Sequence, residues 1–506
     1  MSNSYWMKNF YFRYIFGKAQ WLDWAVIFAC VAAGCLLLVT SYPCPEATSD
    51  SYNYLRAAME NQFNAYRPFG YSYFLRVVHV FSHSLYSILV AQGLLYALSL
   101  GFLLLAVKKY WPPRKPGWFL LFEALVALSP AALFLLNYIL SDSVFCSLFF
   151  IMIAMVIVMI KEGSWVAMVL YALAFFAALH TRYLAVHFPL ALIPVFLFMP
   201  RKWYYRVAAI LVTCAVLCVL HEQICRNMKS ITGVRSFATG FGGWQLTNNA
   251  LHVLPHLSEK DLELQPDKKS LQTLHGFFLY TRPYIKERTG DGKTVTTAFM
   301  WDSQGPMKHV LNQYMQFTDE DYYHSWIAMG NGDFRSYGIW LTHRQFGKYI
   351  RYFIFPNSKS AFLPKDIEVL GGYEAVKEEQ LEVRYWFDAP VKPAQKARKN
   401  WLYRTVSRFL PWIELGTWII FLASALFLLF GGKRRSSLSR ETCTVLWLLF
   451  LLGLFYYGTV TYSSPIVLRY WLPFHAVKLC FAWVVLWHGN FFISLSNEAT
   501  SDREGP

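Results

Sequence analysis

An acidic residue, Asp50, stands in a polar segment that separates two long apolar runs. The segment, residues 43–84, also carries Tyr54, Arg67 and Tyr71. A carboxylate in a partly dry cleft can accept a proton from an attacking hydroxyl group, as a general base does. Guanidinium groups bind phosphate through a fork of N–H donors, so Arg67 is a candidate phosphate ligand. The segment therefore predicts a catalytic site with Asp50 as the base. The alternative is that Asp50 only caps a helix.

Further charged residues stand at the ends of other apolar runs. Asp142 lies in the segment ILSDSVF, Arg182 in LHTRYLA, and Arg469 with Tyr470 in IVLRYWLP. A carboxylate at membrane depth is costly and is usually functional or paired, although helix capping is an alternative for Asp142. The arginines are candidates for holding a phosphate, and their alternative is snorkelling to the membrane interface.

The composition is that of an integral membrane protein. Hydrophobic residues make up 56% of the chain and charged residues 15%, whereas soluble domains carry about 25% charged residues. Because a crossing helix needs about 20 mostly apolar residues, we predict an all-α polytopic protein with about ten transmembrane helices. The predicted crossings are 21–42, 85–107, 117–136, 143–160, 165–179, 184–199, 207–220, 412–430, 442–462 and 466–487.

The distribution of lysine and arginine predicts the orientation. Basic residues collect before the first crossing and at 108–115, 201–206 and 433–440, and the positive-inside rule makes these segments and both termini cytoplasmic. Such loops, facing anionic lipid, account for the net charge of +16 without nucleic acid. A basic stretch at 392–408 disagrees with this orientation, but long translocated domains are largely exempt from the rule.

This topology divides the chain into three parts. They are an N-terminal transmembrane module (1–221), an extracytoplasmic α or α+β domain (222–411), and C-terminal transmembrane helices with a tail (412–506). Within the extracytoplasmic domain, TGDG at 289–292 predicts a hairpin turn. Residues 343–356 predict a basic, aromatic helix that stops at a proline, lying either in the membrane interface or within the domain.

The chain resembles the GT-C superfamily of membrane glycosyltransferases, which includes protein mannosyltransferases and lipid A aminoarabinose transferases. The resemblance depends on short segments in a set order: Asp50 and Tyr54, Arg67-Pro68-Phe69-Gly70-Tyr71, Leu140-Ser141-Asp142, Arg182, and Arg469-Tyr470-Trp471-Leu472-Pro473. Two features depart from the family pattern. Phe69 and Ser72 stand where prolines are common, and Asp142 stands where glutamate is common.

The resemblance implies a GT-C-like helical bundle in the inner (cytoplasmic) membrane. It implies transfer of a sugar, with inversion, from a polyprenyl-phosphate donor to a lipid, glycan or protein acceptor. Asp50 would be the base, and the arginines would hold the leaving phosphate. Asp142 would position the acceptor or Arg67, and Tyr54, Tyr71 and Tyr470 would line the site.

The alternatives are a transporter or flippase of lipid-linked sugars and an O-antigen polymerase or ligase. There is no metal motif, but a divalent cation stays open as a cofactor.

Overall fold

Helices account for the regular structure of the chain wherever the structure describes it. The computed structural model describes residues 11–42, 44–290, 292–364, 385–388, 400–431, 438–465 and 468–489. In these ranges extended residues pair at a single isolated bridge, between Glu46 and Tyr138. The predicted all-α membrane protein is confirmed at this level. The described residues form two compact units. One comprises those within 1–220, 365–454 and 468–506, and the other comprises those within 221–364 and 455–467.

The helices are numbered along the chain. Those up to residue 232 are α1 (Tyr11–Ile15), α2 (Trp21–Ser41), α3 (Ser49–Glu60), α4 (Gly70–Phe81), α5 (Leu85–Tyr110), α6 (Pro116–Ala127), α7 (Pro130–Leu136), α8 (Ser141–Glu162), α9 (Trp165–Thr181), α10 (Ile193–Phe198) and α11 (Trp203–Thr232). The next are α12 (Phe241–Leu251), α13 (Glu259–Leu262), α14 (Lys269–Tyr280), α15 (Arg282–Thr289), α16 (Ala298–Trp301), α17 (Pro306–Thr318), α18 (Tyr322–Asn331), α19 (Asp333–Arg344), α20 (Phe346–Tyr349) and α21 (Phe355–Phe362). The last are α22 (Trp401–Phe430), α23 (Arg440–Ser463) and α24 (Leu472–His488), and 3₁₀ segments cover Tyr183–Leu192 and Leu468–Tyr470.

The chain is a multi-pass membrane protein. In the described ranges, 6 helices are long and apolar enough to cross a bilayer: Lys18–Ser41, Leu85–Tyr110, Ser141–Glu162, Trp203–Thr232, Trp401–Phe430 and Arg440–Ser463. A seventh crossing results if α6 and α7, which are bent by 48°, form one span. The bend coincides with Pro130, because proline has no N–H to continue the helical hydrogen bonds. Three of the predicted crossings are shorter apolar helices: Trp165–Thr181, Tyr183–Phe198 and Leu472–His488.

Helix α8 lies at the centre of the first unit. Of its most apolar window, 89% is buried within the protein, compared with 67% for α5. A helix that is hydrophobic on every side needs apolar surroundings, either protein or lipid, and for α8 these are mostly other helices. Helices α5, α9 and α24 pack against α8. Since α8 begins at Ser141, its first turn provides a fixed base for side chains at that end of the bundle.

The second unit has an aromatic core built where α12 meets α18. The indole of Trp244 stacks on Trp326 at 3.8 Å and donates a hydrogen bond from Nε1 to the Trp326 carbonyl oxygen at 2.9 Å. Next to this stack, a Cβ on Gly243 would lie 1.7 Å from the carbonyl oxygen of Gly330. Only glycine at position 243 therefore allows the two backbones to come this close.

Two local predictions for the segment 222–411 were wrong. The turn at 289–292 is not a hairpin: α15 ends at Thr289, and Gly290 follows as its C-cap in the left-handed conformation, with φ 52°. Glycine is favoured both in hairpin turns and at helix C-caps, so the sequence of the turn alone does not distinguish the two. The basic aromatic helix does not stop at Pro356, because a π-helical turn (Ile350–Ile354) leads into α21, which contains that proline. Of the basic stretch 392–408, residues 392–399 lie outside the described ranges.

Two histidines of the second unit are buried in their neutral form. The His252 Nε2 accepts a hydrogen bond from the Thr296 N–H at 3.1 Å, so a proton there would face another donor. Burial lowers the pKa of His252 to about 4, despite two backbone carbonyls beside its Nδ1. Burial likewise lowers the pKa of His275 to about 4. Both groups resist protonation in the folded state.

We expect the second unit to lose stability as the pH falls from about 6.5 towards 4. In that pH range the unfolded chain binds protons at His252 and His275, and the folded chain does not. Protons therefore favour the unfolded state, and the full stability is present only above about pH 6.5. For His252, a pKa change from 6.5 to about 4 corresponds to roughly 3 kcal/mol once both values have been passed. Tryptophan fluorescence melts in detergent at pH 7.5, 6 and 5 measure this. His252→Gln should give a shallower decline, and identical pH profiles for the variant and the parent would contradict the assignment.

Candidate active site

A short backbone pairing joins the first polar loop to the turn that precedes α8. The Glu46 N–H donates to the Asn137 carbonyl oxygen at 2.7 Å, and the Ile139 N–H donates to the Glu46 carbonyl oxygen at 2.9 Å. The first turns of α3 and α8 follow this pairing directly. Asp50 and Asp142 are each the second residue of their helix, where the helix dipole favours a negative charge. Two acids that are 92 positions apart in sequence thereby reach one site.

Neither acid is a helix cap, so the capping alternative was wrong. The N-cap of α3 is Thr48, whose N–H donates to the Ser51 hydroxyl at 2.8 Å. The N-cap of α8 is Leu140. Asp50 and Asp142 instead direct their carboxylates to arginine side chains.

Three arginines surround the two acids. Arg67 Nη2 lies 2.5 Å from Asp50 Oδ1, and Arg182 pairs with Asp142. Arg469 lies between the two pairs, with Nη2 3.9 Å from Asp50 Oδ2 and Nε 4.0 Å from Asp142 Oδ1. The resemblance implied that Asp142 positions the acceptor or Arg67. Arg67 pairs with Asp50 instead, so for Asp142 the role of positioning the acceptor stays a prediction. Three guanidiniums against two carboxylates leave one positive charge in excess within this cluster, which suits an anionic ligand.

The two acids differ in how far a substrate can reach them. The side chain of Asp50 is 25% exposed, whereas that of Asp142 is only 5% exposed. A general base must come within hydrogen-bond reach of the proton it removes. The exposure of Asp50 leaves it open to such an approach, whereas the nearly buried Asp142 contacts Arg182 and lies 4.0 Å from Arg469.

Two of the predicted tyrosines complete the cluster. The ring of Tyr470 lies 5.3 Å from the guanidinium carbon of Arg182 and 5.5 Å from that of Arg469, so it contacts both by cation–π interaction. The Tyr54 hydroxyl lies 3.0 Å from the Ser141 Oγ, directly beside Asp142. Burial raises the pKa of Tyr54, so its hydroxyl stays protonated at neutral pH. Tyr470 therefore packs against both arginines, and Tyr54 anchors the residue that precedes Asp142.

Tyr71 lies behind the cluster rather than at its surface. Its side chain is fully buried, and its ring meets Tyr54 edge-on at 5.0 Å. The Tyr71 hydroxyl donates to Gln92 Oε1 at 3.0 Å, and the Ser143 hydroxyl donates to the same oxygen at 2.6 Å. Gln92 was missed in the sequence analysis, although an amide inside the apolar run of α5 was a visible signal. Through Gln92 the helices α4, α5 and α8 are tied together under the site.

The glycine in the segment Arg67–Tyr71, Gly70, is required by close packing. A Cβ at this position would lie 2.7 Å from both the carbonyl carbon and the carbonyl oxygen of His180. The first turn of α4 therefore packs directly on the backbone two residues before Arg182. This close approach brings the Arg67 loop and the Arg182 turn to the same side of the bundle.

The site is held by arginines rather than by a group of metal ligands. Over the described ranges, no three His, Cys, Asp or Glu side chains are grouped so that they could hold a metal ion. The oxygens of Asp50 and Asp142 that would coordinate a cation contact guanidinium groups instead.

No protein-family model, curated protein or solved structure matches this chain. The resemblance to GT-C enzymes therefore stays a prediction, and the function is inferred from the geometry of the site.

Proposed function

We propose that this chain is a membrane glycosyltransferase of the GT-C type. It moves a sugar from a polyprenyl-phosphate-linked donor to a lipid, glycan or protein acceptor on the extracytoplasmic side. The observation that carries the proposal is the convergence of two acids and three arginines from four separate chain segments at one partly exposed place. A nucleophile that must lose a proton and a leaving group that gains negative charge are the two partners that such a cluster suits.

The proposed reaction uses these groups in one displacement. Asp50 accepts the proton of the acceptor hydroxyl or amine as that atom attacks the anomeric carbon of the sugar. The bond between the anomeric carbon and the phosphate oxygen breaks, and its electron pair leaves with polyprenyl phosphate. The leaving phosphate gains a negative charge, which Arg182, Arg469 and Arg67 stabilise. Attack from the side opposite the phosphate inverts the anomeric configuration.

We further propose that ten segments cross the membrane, including the three short apolar helices. Helices α9 and α24 have 17 residues each, which corresponds to about 26 Å at 1.5 Å per residue. The hydrocarbon core is about 30 Å thick, and crossing helices of about 17 to 25 residues occur. These helices are at the short end of that range, where a locally thinner bilayer accommodates the difference at modest cost.

With ten crossings, the basic loops place residues 222–411 outside the cytoplasm and both termini inside. A membrane-impermeant thiol reagent should label Gly276→Cys in intact cells and should label Lys202→Cys only after the membrane is opened. Gly276 is on α14, and no atom lies within 4 Å of the position that a Cβ would take there. Lys202 is exposed just before α11. Both positions should therefore tolerate cysteine. Treating the parent protein with the same reagent measures the background labelling of its native cysteines. If intact cells show labelling of Lys202→Cys and none of Gly276→Cys, the orientation is the opposite of the one proposed.

Release of free polyprenyl phosphate tests the reaction itself. The purified protein is incubated with a polyprenyl-phosphate sugar and a membrane acceptor, with and without a chelator. We expect polyprenyl phosphate and glycosylated acceptor to form in equal amounts. A transporter or flippase would leave the donor intact. A polymerase or ligase would transfer a preassembled glycan rather than a single sugar. Intact donor under all conditions would reject the proposed function.

A further inference from the structure

A buried group of ionisable side chains lies behind the turn that carries Arg469. The Glu414 carboxylate on α22 contacts two residues of α24: Oε1 lies 3.3 Å from His475 Nδ1, and Oε2 lies 3.5 Å from Lys478 Nζ. The exposed fractions of these side chains are 4% for Glu414, 8% for His475 and 3% for Lys478. Helix α24 begins two residues after Tyr470, so these contacts act on the helix that the Arg469 turn leads into.

A second residue of α22, Trp418, contacts the start of α24. Trp418 lies one helical turn after Glu414, and its ring is 4.3 Å from Lys478 Nζ. The same ring meets Trp471 edge-on at 5.7 Å. Trp471 directly follows Tyr470 and donates its N–H to the Leu468 carbonyl oxygen at 3.0 Å. Glu414 and Trp418 together therefore hold the start of α24 and the turn at 468–470.

Stability alone does not explain charges at this depth. Burying an ion pair requires removal of water from both groups, and well-packed apolar side chains of the same volume usually stabilise a fold as well or better. Beside this group, the contacts between the same two helices are aromatic, with the ring of Phe421 packed against Phe474 and Phe481. A charged contact between two helices specifies their register more strictly than apolar contacts do.

We propose that Glu414, with His475 and Lys478, is a positioning group for Arg469. It fixes the rotation and the height of α24, so that the Arg469 guanidinium reaches both Asp50 and Asp142. These contacts are long, 3.9 and 4.0 Å, so a small shift of the turn takes Arg469 out of reach of one acid. The inference depends on the proposed function, because the role assigned to Arg469 is to bind the donor phosphate.

A double-mutant cycle with sugar-free polyprenyl phosphate as the probe tests the inference. Glu414→Leu with Lys478→Met replaces the carboxylate and the ammonium group together by apolar side chains of similar size, so neither of these two charges is left buried without the other. We expect the melting temperature of the purified protein to be maintained, while the probe binds about 10-fold more weakly. In an Arg469→Gln background, the same double change should alter binding by less than about 2-fold, because the group it positions is gone.

A matched control uses another ion pair of the same unit, in which one partner is buried. Asp23 on α2 pairs with Lys108 on α5. Asp23→Asn with Lys108→Met should change probe binding by less than about 2-fold, since neither residue is near the 468–470 turn.

The outcomes separate the inference from the proposed function. If Arg469→Gln weakens binding but the Glu414 and Lys478 changes do not, the positioning role is rejected and the proposed function stands. Equal weakening by those changes with and without Arg469 also rejects the positioning role. If Arg469→Gln leaves binding unchanged, the phosphate role of Arg469 fails and the inference fails with it.

Discussion

Asparagine at position 50 is expected to lower turnover by about 10²- to 10⁴-fold, the usual contribution of a positioned base. An amide cannot accept a proton at neutral pH, but its oxygen can still accept the hydrogen bond that Arg67 gives to Asp50. The protein should therefore fold and insert normally. Because the substitution removes a negative charge from the cluster, binding of the donor phosphate should be unchanged or tighter. A fall in kcat without a rise in KM would identify a base and exclude a phosphate ligand.

Glu60→Gln provides the matched control for this prediction. Glu60 is on the same helix, α3, and forms a surface pair with Arg56 at 4.0 Å. Such exposed pairs contribute about 0.2 to 1 kcal/mol, so turnover should stay within about 2-fold of the parent. Asp50→Asn that retains turnover within a few-fold would place the chemistry elsewhere. Asp142→Asn would then be the next variant to measure.

The apolar runs predicted the helices of the first unit well, because the propensity to cross a membrane is a local property of about 20 residues. Over its described residues, every predicted run is mainly helical, with the first part of 184–199 in 3₁₀ form. The run 117–136 was predicted as one crossing and is bent by 48°. In this case Ser129-Pro130 was the available signal, since the residue before a proline avoids the helical conformation.

The charged residues of the cluster could be named from the sequence, but their pairings could not. Asp142 and Arg182 are 40 positions apart, and Arg469 reaches both acids from the far end of the chain. Spacing in sequence cannot show which outer turns are neighbours when the packing of α8 and α24 decides it. The same applies to Tyr71, which faces Gln92 although it stands next to Gly70 in the motif.

The ionisable residues inside the last helices were visible in the sequence and were not used. Glu414, His475 and Lys478 all fall in or next to predicted crossings, where a charged side chain is rare and usually has a partner. Their partners are on a different helix about 60 residues away. The residue types therefore pointed to a function, and only the packing of α22 on α24 shows which group they support.

Lysine at position 182 is expected to weaken donor-phosphate binding by about 10- to 100-fold, which corresponds to the loss of one hydrogen bond between charged groups. Arg182 pairs with Asp142 while its guanidinium carbon lies 5.3 Å from the Tyr470 ring and 5.9 Å from the Phe145 ring. Lysine keeps the charge beside the nearly buried Asp142, so the fold should be retained. It loses the planar fork that can bind Asp142 and a phosphate at the same time.

Binding of polyprenyl phosphate to the purified Arg182→Lys protein measures this loss, with Arg56→Lys as the control. Arg56 is 54% exposed on α3, so the same change there removes a fork without altering the cluster and should leave binding within about 2-fold. If Arg182→Lys binds the probe like the parent while its melting temperature falls, Arg182 serves only to neutralise Asp142. The phosphate would then have to be held by Arg67 and Arg469, and each should show the loss expected here for Arg182.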